Sequence, residues 1–224
     1  MFFAINPEEE VRIALVFSQM KEKRGGINFW QEAFVDLFSE LKSHEKSIKK
    51  VVKREYQKWD SAKDIQELEQ EWIKYKPLFE PTFKKIFGFF DDSTWCYLSI
   101  FNAGPRFPKE NYFLVYRGYG LTKKIECIIH ELLHFHLYNF IKQNLPKLFQ
   151  KYDINQEPLW SLSEIFNVFI EEKYFIPLTK VPVFYYPDHK DRIPLFRKLY
   201  FEDCQKDLNK FIKIALAKQD KPII

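Results

Sequence analysis

Apolar positions recur at helical spacing along most of this chain, and the breaks between them fall at proline, glycine and capping residues. The stretch VRIALVFSQM predicts a helix over 8–21. Asn6 can cap it, Pro7 suits a first turn, and Glu8, Glu9 and Glu10 sit at its positive end. Gly25-Gly26 breaks the pattern. Asn28 then opens a run in which Trp30, Phe34, Leu37, Phe38 and Leu41 share one face. A further amphipathic helix is predicted over 62–76, interrupted by Pro77 and Pro81 before a shorter apolar helix over 83–89.

The character changes at Asp91. Residues 93–101 (STWCYLSIF) and 111–116 (NYFLVY) are short and rich in aromatic and β-branched side chains, so both read as strands. The connection NAGPRFPKE between them carries turn residues. After Gly118 and Gly120 a clear helix is predicted over 121–144, with Thr122 as a cap and Pro146 as its stop. Another follows over 159–174, then a loop with Pro177, Pro182, Pro187 and Pro194, then an amphipathic helix over 195–218. Residues 2–5 are too short to assign. Helices, a small sheet, then helices again point to an α+β fold, mostly helical, with a small mixed or antiparallel sheet ahead of the 121–144 helix. The composition shift suggests an N-terminal helical region over 1–90 and a second domain over 91–224.

Composition narrows the classes. Hydrophobic residues make up 46% and charged residues 29%, which is enough apolar material for a real core. The apolar share is unusually aromatic, with 24 Phe, 12 Tyr and 5 Trp against only 6 Gly, which argues against Gly-rich nucleotide-binding loops. The net charge of +4 and pI of about 8.7 fall short of a dedicated nucleic-acid binder. The basic cluster over 42–54 (KSHEKSIKKVVKR) reads as a solvated helix face. Cys96, Cys127 and Cys204 are odd in number and lack CxxC spacing, so they read as reduced thiols. The N-terminus MFFAINPEEE lacks a basic signal-peptide start, and no apolar run approaches the roughly 18 residues that span a bilayer. The expectation is a soluble, cytoplasmic protein with no nucleic-acid and no membrane partner; the sequence leaves its oligomeric state open.

The candidate chemistry lies in HELLHFH, over 130–136. On a helix His130 and His134 stand one turn apart on the same face, so both imidazoles can reach one ion. Glu131 is one residue further round, placed to take a proton from water without ligating. The flanks are strongly apolar (Ile128, Ile129, Leu132, Leu133, Phe135, Leu137), where unpartnered polar groups would be costly. A hydrolytic zinc site needs a third protein ligand and an open position. His136 lies about 200° round the helix from His134 and points away, as a polar tip on the opposite face or a hydrogen-bond donor behind the ligands. Among Glu164, Glu171, Glu172 and His189, Glu164 is favoured because it stands in the apolar run LWSLSEIFNVFI. Glu171, on the same side, is the fallback, and Glu172 with Lys173 looks like a solvated helix end.

HELLH followed by a Glu on the next helix resembles the gluzincin, or thermolysin-like, branch of the zinc metallopeptidases. The resemblance spans roughly residues 93–174. It implies a zincin-like fold, Zn2+ held by His130, His134 and Glu164, and Glu131 as general base toward zinc-bound water. WSLSE over 160–164 is similar to the family's second-helix signature, with Ser163 where Asn is common. The family's acid four residues after the Glu ligand is replaced here by Val168. The metzincin pattern HExxHxxGxxH is excluded, because FHLYNFI follows His134.

The resemblance further implies that the strand before the motif helix is a sheet edge that takes substrate as an added strand, which here means Asn111, Phe113 and Val115. It also implies an oxyanion donor beyond the Glu helix, for which His189, Tyr186 and Tyr185 stand available in VPVFYYPDHK. Arg106 is an outside candidate for anchoring substrate. The expected activity is that of a zinc metallopeptidase acting on a peptide or protein. The alternatives are a zinc hydrolase of a non-peptide amide, and a degenerate zincin serving as a binding or regulatory module.

Overall fold

The computed structural model describes residues 1–19, 45–102 and 104–219. They belong to two compact units, one of Met1–Tyr75 with Asp92–Ile128 and one of Lys76–Asp91 with Ile129–Ile224. The helix expected from Asn28 onward and the Gly25-Gly26 break lie outside the described residues. Among the described residues no helix is long and apolar enough to cross a membrane.

The first unit is built on a four-stranded mixed sheet of order β1-β2-β4-β3. The strands are β1 (Phe2–Ala4), β2 (Trp95–Ser99), β3 (Arg106–Phe107) and β4 (Tyr112–Tyr116). β1, too short to assign from sequence, pairs in parallel with β2, Phe3 opposite Cys96. The N-terminus therefore shares a sheet with residues past 91. The units part between 75 and 76, 91 and 92, and 128 and 129. β4 pairs in parallel with β2 along its length and antiparallel with β3 at Tyr112 and Phe113.

Helices α1 (Pro7–Gln19) and α2 (Glu45–Gln57) belong to the same unit. The start of α1 is capped as expected, with the Glu9 N–H donating to Asn6 Oδ1 at 3.1 Å. Val11, Ile13, Ala14 and Phe17 of α1 join Ile48, Val51 and Val52 of α2 in a core with Ile100, Phe101 and Leu114. The described part of the basic cluster is α2 itself: Lys46, Lys49, Lys50 and Lys53 are exposed while its apolar face is buried. A solvated helix face accounts for it.

Pro77 and Pro81 do not divide a helix. One helix, α3, runs Ser61–Phe87 through both prolines. Both rings are exposed, so the carbonyls that lose a donor face water, while Phe79, Phe83 and Phe87 recur on a buried face that keeps the helix continuous.

The second unit is helical. It contains most of α4 (Leu121–Asn144), then α5 (Pro146–Lys151), α6 (Leu159–Tyr174), α7 (Ile176–Thr179), a 3-10 turn at Pro187–His189, α8 (Arg192–Lys198) and α9 (Leu208–Gln219). The single helix expected over 195–218 is broken. A π-turn at Leu199–Asp203 leads to Gln205 and Lys206 with positive φ, and the Lys210 N–H then donates to Asp207 Oδ1 to start α9 afresh. The apolar periodicity continues across the break because Tyr200 and Phe211 meet in one ring cluster, 5.3 Å apart. Phe166 and Phe169 of α6 complete that cluster.

α6 decides the character of this unit. Every residue from Leu159 to Glu171 is buried, so the helix has no solvent face over its first three turns. A helix buried all round must satisfy its polar side chains internally. Ser161, Ser163, Glu164, Asn167 and Glu171 are those side chains.

Candidate metal centre

α4 presents His130, Glu131 and His134, and α6 presents Glu164, Asn167 and Glu171. The spacing on each helix is what brings them together. His130 and His134 are one turn apart, and Glu164, Asn167 and Glu171 stand at i, i+3 and i+7 on one stripe. The Nε2 atoms of His130 and His134 are 3.1 Å apart, and each is 3.5 Å from Glu164 Oε2. Ligand atoms of these three residues all fall within 4.8 Å of one another.

The rest of the cluster orders His130. Glu171 Oε1 lies 2.7 Å from His130 Nδ1, and Asn167 Nδ2 donates to the His130 carbonyl at 2.9 Å. Asn167 Oδ1 is buried without a hydrogen-bond partner among the described residues. His134 is fully buried, and its ring lies over Tyr138 at 6.0 Å; the Tyr138 hydroxyl meets Ser163 Oγ at 2.8 Å. Glu131 and Glu164 are buried as well, while the His130 side chain keeps 18% of its exposure.

Burial by itself would push the His130 imidazole toward its neutral form. The carboxylates of Glu171, Glu164 and Glu131 outweigh that and hold its pKa well above the usual histidine value. The centre therefore calls for positive charge. With Nδ1–H committed to Glu171, the atoms that converge at the centre are two imidazole nitrogens and a carboxylate oxygen. Such a set is satisfied by a cation, and two neutral nitrogens with one carboxylate oxygen is a borderline-soft donor set that suits zinc.

His136 is not a polar tip at the surface. It is buried, with Nδ1 2.8 Å from the Leu132 carbonyl and Nε2 accepting from the Asp91 N–H at 3.0 Å. Phe83, Phe87, Phe89 and Phe90 surround its ring. The helical offset that turns it away from His134 delivers it into this aromatic box, where it ties α4 to the end of α3. Glu172 forms an exposed ion pair with Arg197, as a helix end should.

His189 is buried in its 3-10 turn, with Nε2 3.0 Å from Ser161 Oγ, and the Ser161 hydroxyl donates to Glu157. Because that proton is committed, the serine oxygen accepts from His189 Nε2–H. Burial lowers the His189 pKa; the nearby Glu164 charge works against that and Arg192 works with it. Tyr186 packs edge-on against Trp160 at 5.0 Å and reaches His189 at 5.6 Å, whereas Tyr185 is exposed.

Asn111, Phe113 and Val115 do not lie on a free sheet edge. β3 covers β4 at Tyr112 and Phe113, and the Leu114 N–H donates to the Pro105 carbonyl at 3.0 Å. The turn-rich connection folds back as a strand and occupies the backbone groups that an added strand would use. Arg106 is part of that covering strand. The Phe113 and Val115 side chains are buried, and Asn111, at φ 60°, uses its amide on Thr94 and Ser93.

Sequence reasoning missed Asn167, which counting i+3 from Glu164 would have put on the same stripe. Glu171, expected on that side as the fallback ligand, meets His130 Nδ1 instead of the point where the other three residues converge. Comparison with protein-family models, curated proteins and solved structures finds no match for this chain.

Proposed function

We propose that this chain is a zinc-dependent hydrolase of the gluzincin type, acting as a metallopeptidase, with His130, His134 and Glu164 as ligands. One observation carries the reading: two histidine nitrogens and a carboxylate oxygen from adjacent buried helices converge on one point, beside a further buried carboxylate. Zinc at that point would supply Lewis-acid activation of water and of the scissile carbonyl near neutral pH.

The chain's own groups do the rest. Glu131, next to His130 in the chain and buried, accepts the proton of the attacking water and delivers it to the leaving nitrogen. Glu171 and Asn167 hold His130 in place. His189 and Tyr186 stand on the side of α6 where Ser161 lies; with the His189 Nε2–H given to Ser161, the Tyr186 hydroxyl is the donor proposed for a developing oxyanion.

The burial of His134, Glu164 and Glu131 favours a second reading in which the substrate is a small non-peptide amide rather than a polypeptide. Cleavage profiling of the zinc-loaded protein on a peptide library, beside a panel of small amides, separates the two. Zinc-dependent cuts in peptides support the first. Turnover confined to small amides replaces it with the second, and no turnover of either alongside bound zinc leaves a degenerate centre.

A further inference from the structure

We infer that Glu171 is the positioning residue of this centre, holding His130 through Nδ1 in the orientation and tautomer that a metal requires. The inference rests on the metal reading above and adds a role for a residue that does not itself ligate.

A carboxylate at 2.7 Å from an imidazole nitrogen can only accept, so His130 Nδ1 carries the proton. A histidine that binds a metal is neutral and has one N–H, so holding that proton at Nδ1 leaves the Nε2 lone pair to the cation. That lone pair is the one 3.1 Å from His134 Nε2 and 3.5 Å from Glu164 Oε2. Glu171 is 2% exposed, so the carboxylate end of the bond is shielded from water.

Glu171 also cannot share the ion through this contact, because Nδ1 and Nε2 point away from each other across the ring. Its carboxylate meets the face of His130 opposite the ligand cluster. Asn167 adds the second hold, on the His130 backbone carbonyl at 2.9 Å. One stripe of α6 thus supplies a ligand at 164, a backbone anchor at 167 and an orienting carboxylate at 171. Val168, one turn after Glu164, offers no acid to His130. Here the task falls to the next turn, which still reaches the first histidine of the motif.

Partners behind metal-binding histidines change metal affinity by about 10–100-fold. The test is zinc competition titration against a chromogenic chelator, on the full chain and on Glu171→Gln, Glu164→Ala and the surface control Glu172→Gln, with cobalt spectra of each. Glu171→Gln is isosteric and keeps an oxygen that can accept from Nδ1–H, and far-UV circular dichroism verifies that it folds.

The expected result for Glu171→Gln is one zinc per chain, a 10–100-fold weaker Kd and an unchanged cobalt ligand-field spectrum. Glu164→Ala changes that spectrum, and Glu172→Gln matches wild type. In nitrogen-15 spectra of the zinc form, the His130 Nδ1–H resonance is sharp and shifts upfield in Glu171→Gln. Wild-type affinity in Glu171→Gln overturns the inference. So does a changed cobalt spectrum in that variant, which would make Glu171 a ligand. A wild-type chain that binds no zinc fails at the first measurement and overturns the metal reading with it.

Discussion

The Nε2 atoms of His130 and His134 face each other at 3.1 Å, with Glu164 Oε2 at 3.5 Å from both. With His130 Nδ1–H given to Glu171, this arrangement places two nitrogen lone pairs and an anionic oxygen around one point. The surrounding carboxylates favour positive charge at this place and raise the His130 pKa well above the usual histidine value. A divalent ion satisfies the same three atoms at once, and the expected outcomes below follow from that fit and from the packing around it.

Zinc binding should stabilise the fold by mass action. At a hundredfold excess over Kd the stabilisation is about 3 kcal/mol, visible as a rise in melting temperature that a chelator reverses. His134→Ala should lose the rise. Equal zinc-induced shifts in wild type and His134→Ala would show that the ion binds elsewhere.

Glu131→Gln should retain one zinc per chain and lose roughly 10²–10⁴-fold in kcat/KM, the usual contribution of a positioned general base. Metal analysis beside cleavage rates checks both halves. A variant that kept full activity would remove Glu131 from the mechanism.

The first unit should lose stability between about pH 4.5 and 7. Glu10 is buried, and although the Ile100 N–H, the Tyr56 hydroxyl and Ser99 Oγ bond to it, burial raises its pKa from 4.5 to about 7. Below 4.5 both states hold the proton. Above it the unfolded chain releases the proton while the folded one keeps it, so stability falls until about pH 7 and is flat beyond, by about 3 kcal/mol in total. Glu10→Gln should flatten that slope in urea titrations at pH 5 and 7.5. A slope equal to wild type would mean that other groups carry it.

Phe166→Ala should cost about 3–5 kcal/mol, because its fully buried ring lies within 6.1 Å of Phe87, Phe169, Tyr200 and Phe211 and the gap cannot be filled by a small shift. Chemical denaturation measures it. A loss under 1 kcal/mol would show a cluster able to collapse.

Much of the candidate site is legible along the chain, because helical periodicity links sequence distance to spatial distance. His130 and His134 had to share a face once residues 121–144 were helical, and Glu164 was conspicuous as an acid in an apolar run. The strands 95–99 and 112–116 were visible in their β-branched and aromatic content. What failed were inferences from local signals that packing overrides. Pro77 and Pro81 look like stops, yet their rings point to water and the buried phenylalanines carry the helix through. The 195–218 periodicity looks unbroken, yet Gln205 and Lys206 turn left-handed between two segments of one ring cluster.

Local chain chemistry was thus sufficient to set most of the helices and to place His130, Glu131 and His134 on one of them, since each depends on neighbours within a turn or two. The partners across helices could not be read there. That Glu171 meets His130 Nδ1, that Asn167 holds the His130 carbonyl, that His136 enters a box of four phenylalanines and that β3 covers β4 are all matters of long-range contact. Those pairings depend on the axial offset and rotation at which whole elements pack, and no sequence spacing encodes either quantity.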